Sequence, residues 1–153
     1  MWVSLQGPNG GISGLAQPST DRDAESRKGP QARTILIVDD NASERRVIRS
    51  AVEYHTKFRV CGEAANGTEA IQRAHQLKPD LIIMDLAMPL MNGLEAASVL
   101  KNELPGVPVV LFTLYADVVH GPRSSIFGVT AVLSKDEGLA PLLACLKGLL
   151  DPS

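Results

Sequence analysis

From Arg33 onward the chain alternates short apolar runs with longer stretches of mixed polarity. "TILIVDD", at 34 to 40, is a β-branched apolar run closed by two acids, which predicts a strand. "SERRVIRSAVEYH", at 43 to 55, puts Val47, Ile48, Ala51 and Val52 at helical spacing, with Ser43 expected as the N-cap. "FRVCGEA" predicts a second strand and "GTEAIQRAHQLK" a helix stopped by Pro79. "DLIIMD" is a third strand, and "GLEAASVLKNEL" a helix stopped by Pro105. "VPVVLFT" and "TAVLSK" are strands four and five, and "LAPLLACLKGLL" is a last helix. Five strands thus alternate with helices, and their continuous apolar runs suit a parallel sheet covered on both faces. The expected class is α/β, an open doubly wound sheet with right-handed crossovers. One unit breaks the pattern. In "LYADVVHGPRSSIFGV" Gly121 and Pro122 sit where a fourth helix should run. Proline inside a helix costs about 3 kcal/mol, so a short, broken or displaced helix is expected there.

Residues 1–32 have another texture. They are dense in Gly, Pro, Ser and charge and lack apolar spacing, which predicts a flexible N-terminal tail before a domain at 33–153. The length of 153 residues fits one such domain plus a tail. With 44% hydrophobic residues, 21% charged residues and a net charge of -2, the composition is that of a globular chain. It carries no footprint for direct nucleic-acid binding or an anionic membrane. No apolar run approaches the roughly 20 residues of a membrane span. "MWVSLQGPNGG" does not have the form of a signal peptide, and two cysteines, Cys61 and Cys145, are no disulfide framework. A cytoplasmic location is the simplest expectation.

In a doubly wound sheet, sites form beyond the carboxyl ends of the strands. Strand one ends in Asp39 and Asp40, strand three in Asp85, strand four in Thr113 and strand five in Lys135. Taken singly, such residues are usually caps, strand positions or solvated charges. Their arrival on successive strand ends carries the chemistry. Clustered carboxylates share protons or bind a cation. An all-oxygen set completed by water suits Mg²⁺ or Mn²⁺ and not Zn²⁺. A metal beside an ammonium and a hydroxyl cages a phosphoryl group, leaving Asp85 as nucleophile.

At these residues the chain resembles a bacterial two-component response-regulator receiver domain, over about 33 to 151. The matching pieces are "ILIVDD", "PDLIIMDLAMPLMNGLEA", "VPVVLFT" and "GVTAVLSKD". The resemblance implies a flavodoxin-like sheet of order 2-1-3-4-5. It implies that Asp39 and Asp40 are the metal-binding pair, Asp85 the phosphoacceptor and Ala87 the donor of a backbone carbonyl to the metal. Thr113 is then the hydroxyl that follows the phosphoryl group, and Lys135 its ion-pair partner. Met88, Pro89 and Gly93 match the loop after the phosphoacceptor. The implied partner is a sensor histidine kinase or phosphotransfer protein, and homodimerisation stays open. "ERR", at 44 to 46, reads as a solvated helix face near the region where receivers dock kinases.

The departures are informative. Receivers usually carry Tyr or Phe three residues before the lysine, as a rotamer switch coupled to the threonine. Here that residue is Val132, stiff at χ1 and too small to swing. Leu114 stands where a small residue is usual, with Tyr115 beside it, and Asp136 replaces a common proline. "MNGLEAA" and "SKDEGLAPLLACLKGLL" are similar to receivers of the NarL type, which usually precede a helix-turn-helix domain. The chain stops at "LLDPS", so it reads either as a single-domain regulator or as the excised receiver of a DNA-binding transcription regulator. The leading expectation is a phosphorylation-dependent switch and not a turnover enzyme. An atypical receiver, acting as an interaction module without the usual switch, is the alternative that Val132 and Leu114 motivate. A metal-dependent phosphatase is disfavoured, since Ala87 stands where its second acid would be.

Overall fold

The computed structural model describes residues 31–119 and 127–152. The expected tail at 1–32 therefore lies almost wholly outside the described residues, as does the Gly121–Pro122 stretch of the expected broken helix. Five parallel strands form one sheet. They are β1 (Thr34–Val38), β2 (Arg59–Ala64), β3 (Leu81–Met84), β4 (Val109–Thr113) and β5 (Ala131–Ser134), in the order β2-β1-β3-β4-β5. This is the 2-1-3-4-5 order expected. The helices are α1 (Ala42–His55), α2 (Gly67–Leu77), α3 (Gly93–Glu103) and α4 (Leu139–Leu150), and Ala116–Val119 make a 3₁₀ turn. Among the described residues no helix is long and apolar enough to cross a membrane.

Alternation within β1 shows why its apolar run is continuous. Leu36 and Val38 face one core layer, with Ala70, Ala74, Ala96 and Leu100 of α2 and α3. Ile35 and Ile37 face the other, with Ile48, Val52, Leu142 and Leu146 of α1 and α4. Both faces of the sheet are dry, so both sets of alternate residues must be apolar. Cys61 and Cys145 pack against these two layers, and burial pushes both thiols up, away from the reactive thiolate.

Three helices begin on the same device. Asn41, Asn66 and Asn92 cap α1, α2 and α3, and each side chain accepts the backbone N–H of a glutamate three residues on: Glu44, Glu69 and Glu95. The cap of α1 is thus Asn41, and the expected Ser43 lies inside the first turn. Asn41 wins because its amide oxygen reaches the third N–H of the helix at 3.0 Å. Val47, expected in the core, is 55% exposed. Only Ile48, Ala51 and Val52 of that apolar set turn inward.

Candidate acidic site at the carboxyl edge of the sheet

Strand register brings the predicted residues together. Val38 pairs with Met84, so Asp39 and Asp85, each one step further, emerge side by side. Thr113 pairs with Ser134, which sets Lys135 just past that pair. Asp39, Asp40 and Asp85 each offer a carboxylate oxygen, and these oxygens lie within 4.8 Å of one another. The Lys135 ammonium reaches into the cluster, 2.8 Å from Asp39 Oδ2 and 3.3 Å from Asp85 Oδ2. Asp39, Asp85 and Thr113 are buried, whereas Asp40 faces solvent. Ala87 lies exposed in the loop two residues past Asp85.

The buried groups are held from the main chain as well. Asp39 Oδ1 accepts the Asn41 N–H at 2.9 Å, and Asp85 Oδ1 accepts the Leu86 N–H at 2.7 Å. Thr113 Oγ1 accepts the Tyr115 N–H at 3.1 Å and hydrogen-bonds Asp85. Burial pushes the Asp85 carboxyl up. Thr113 and Lys135 pull it back, Asp39 pushes it further up, and the net effect is a raised pKa. Burial would lower the Lys135 pKa, but hydrogen bonds to Asp39 and Glu44 outweigh it, so the ammonium is held above its ordinary range.

Two contributors were not legible in the local pattern. Glu44 Oε1 lies 2.6 Å from Lys135 Nζ, making a third carboxylate on that ammonium. Arg45 donates to the Asp39 carbonyl at 2.5 Å and to Glu63 at 2.8 Å, and Arg49 donates to the other Glu63 oxygen at 2.9 Å. The expectation of a solvated "ERR" face is therefore corrected. Glu44 and Arg45 turn toward the site and the end of β2, and Arg46 alone of the three is exposed. Glu44 at the third position of a capped helix was the available signal, but its partner comes from β5, and no local spacing shows that. Among the described residues, His75 pairs with Glu103, and His55 stacks edge-on with Tyr54. His120 lies outside the described residues.

An open groove of about 410 Å³ borders the cluster, lined among others by Ser43, Glu44, Val47, Leu114, Lys135 and Leu139. Leu114 is 56% exposed on its rim. Val132 packs half-buried against the core layer of α2 and α3, opposite Leu111 in the sheet.

Known proteins share this architecture. Residues 35–147 match the model of the response regulator receiver domain. The chain is 40% identical over 101 residues to the response regulator protein VraR of Staphylococcus aureus, covering 66% of this chain and 48% of that protein. It is 35% identical over 113 residues to VraR of Staphylococcus saprophyticus, covering 74% and 54%. The chain thus spans about half the length of the curated relatives it matches. Among solved structures, the response regulator domain of Thermotoga maritima CheB superposes with a TM-score of 0.69 at 26% identity, covering 78% of this chain and 96% of that one. Thermotoga maritima TrrA, solved in complex with Mg(2+)-BeF, superposes with a TM-score of 0.70 at 25% identity, covering 77% and 99%. The doubly wound sheet, its acidic carboxyl edge and these matches agree, and the chain belongs to the response regulator receiver domains of two-component systems.

Proposed function

We propose that Asp85 accepts a phosphoryl group from a phosphohistidine on a sensor histidine kinase or phosphotransfer protein. Mg²⁺ or Mn²⁺ would be held by Asp39, Asp40, Asp85 and the Ala87 backbone carbonyl. The observation that carries this reading is the convergence of three carboxylates beside an ammonium that contacts both Asp39 and Asp85. The donor set is all hard oxygen, which fits these cations with water completing the shell. Asp39, Asp85 and Glu44 contact one ammonium and Asp40 adds a further carboxylate beside the two aspartates, so the site favours added positive charge. The Mg(2+)-BeF complex of TrrA supports the same choice.

When bound, the divalent ion would neutralise charge on the transferring group and on the carboxylates. The other roles fall to the chain itself. The Asp85 carboxylate attacks phosphorus in line, the bond from phosphorus to the histidine nitrogen breaks, and the imidazole leaves with the electron pair. The Lys135 ammonium neutralises one phosphoryl oxygen, and the raised pKa keeps it charged at any working pH. The Thr113 hydroxyl, now bonded to Asp85, turns to another oxygen. The rigid sheet ends supply the positioning on which such transfers depend. One group is taken per site, as in a switch.

Intact-mass spectrometry after incubation with acetyl phosphate and Mg²⁺ tests the proposal, with Asp85→Asn alongside. One added phosphoryl group in wild type only supports it, and none in either protein refutes it. A second reading, an interaction module without the usual switch, is favoured by one observation: Val132 is packed into the sheet's core layer. Fluoroberyllate binding without any change in oligomeric state would support that module.

A further inference from the structure

Glu44 behaves unlike its counterparts. Three helices open with Asn-x-x-Glu, and in two of them the glutamate side chain folds back on the main chain, at the cap in α3 and at the residue before it in α2. Glu95 Oε1 accepts the Asn92 N–H at 3.0 Å, and Glu69 Oε1 accepts the Ala65 N–H at 2.7 Å. In α1 the cap bond from Glu44 N to Asn41 remains, but the Glu44 carboxylate is turned across the site to Lys135, at 2.6 Å. That contact is shorter than either Lys135–aspartate contact. The two partners are unequal. The Lys135 side chain is 11% exposed and anchored at the end of β5, whereas Glu44 is 40% exposed on the groove wall. An ammonium has three donors, and here three carboxylates crowd it: Asp39 and Asp85 accept hydrogen bonds from it, and Glu44 lies in ion-pair contact. A phosphoryl oxygen reaching Lys135 must therefore displace one of them. Glu44 is the one that water can receive at small cost.

We propose that Glu44 is a positioning residue that latches the Lys135 ammonium while Asp85 is unmodified, and that the incoming phosphoryl group must displace it. The inference rests on the phosphoacceptor role of Asp85 proposed above. Glu44 thereby weakens the site's hold on a phosphoryl-like anion. The latch depends on reach as well as charge, since a side chain one methylene shorter at this position keeps its charge but falls short of Lys135.

Calorimetric titration of the whole chain with fluoroberyllate at saturating Mg²⁺ tests this, comparing wild type, Glu44→Gln and Glu44→Asp. Mg²⁺ affinity and melting temperature are measured on the same samples. Release of one solvent-accessible ion pair predicts that both variants bind fluoroberyllate about twofold to fivefold more tightly than wild type. Tighter binding by Glu44→Gln alone would make the effect one of local charge and overturn the latch. Weaker binding by both variants would show that Glu44 supports Lys135, and would overturn it too. Glu44→Asp keeps a charged carboxylate in the first helical turn and so guards against a variant that only unfolds. Binding by wild type with no change in either variant defeats the latch alone. No binding by wild type defeats the phosphoacceptor reading, and the latch with it.

Discussion

Gly93→Ala is a sharp perturbation of the site that touches no charged group. Gly93 is the first residue of α3, and its N–H donates to the Leu86 carbonyl at 2.8 Å, closing the loop that carries Ala87. A Cβ at this position would overlap the Asp85 carbonyl oxygen and lie 3.1 Å from both the Asp85 carbonyl carbon and Leu86 Cα. Carbon atoms sit comfortably at about 3.5–4.0 Å, so helix and loop must part by on the order of 1 Å once the oxygen is cleared. Overpacking of this kind costs about 1–3 kcal/mol, and a weakened Gly93–Leu86 bond about 1 kcal/mol more. The better helix propensity of alanine returns up to about 1 kcal/mol. The net is about 2 kcal/mol, or roughly 8 °C in Tm for a domain of this size. The same displacement moves the main chain of Asp85, and an error of about 1 Å at a reacting group costs about 100-fold in rate. Thermal unfolding and the rate of phosphorylation by acetyl phosphate, followed by intact mass, read the two effects. Unchanged Tm and rate would refute the steric argument. A lowered Tm with an unchanged rate would refute the link from this contact to the position of Asp85.

Asp85→Asn raises stability in metal-free buffer by on the order of 1 kcal/mol, because it removes a buried charge that Asp39 repels while Lys135 keeps Asp39 and Glu44; added Mg²⁺ raises the wild-type Tm and narrows the gap. Urea unfolding checks the first and thermal unfolding with and without Mg²⁺ the second. Glu63→Gln tests the clamp on α1. Burial pushes the Glu63 carboxyl up, yet hydrogen bonds from Arg45 and Arg49 outweigh it and hold the pKa below its ordinary value. That stability is present above the unfolded pKa of about 4.3 and is lost as pH falls through the lower folded value. The variant is therefore about 1 kcal/mol less stable at neutral pH and matches wild type in strong acid. Leu90 holds φ 71 while 85% exposed, a conformation that costs a β-carbon and buries nothing in return. Leu90→Gly is expected to gain up to about 1 kcal/mol in thermal unfolding.

Much of the architecture was legible because a parallel sheet covered on both faces leaves a plain trace. The three central strands are short, nearly continuous apolar runs, and prolines 79 and 105 stop two helices close to their observed ends. The five polar site residues were legible for a related reason: strand ends in register fall at one edge, so position in the pattern fixed position in space. Finer features escaped where they depend on distant partners or competing local bonds. Ser43 and Asn41 are both good caps, and only backbone geometry chooses Asn41. Val47 keeps helical spacing with the core residues, but lies at the edge of the stripe and opens onto the groove. The turn of Glu44 toward Lys135, and of Arg45 toward Glu63, joins elements far apart in the chain.

The central claim is that Asp85 itself carries the phosphoryl group. Reductive trapping with borohydride after treatment with acetyl phosphate and Mg²⁺, followed by peptide mass spectrometry, tests it most directly. The prediction is conversion of the Asp85 side chain to its alcohol, with Asp39 and Asp40 unmodified. Trapped product at Asp39 or Asp40 with none at Asp85, or no trapped product at all, would contradict the account.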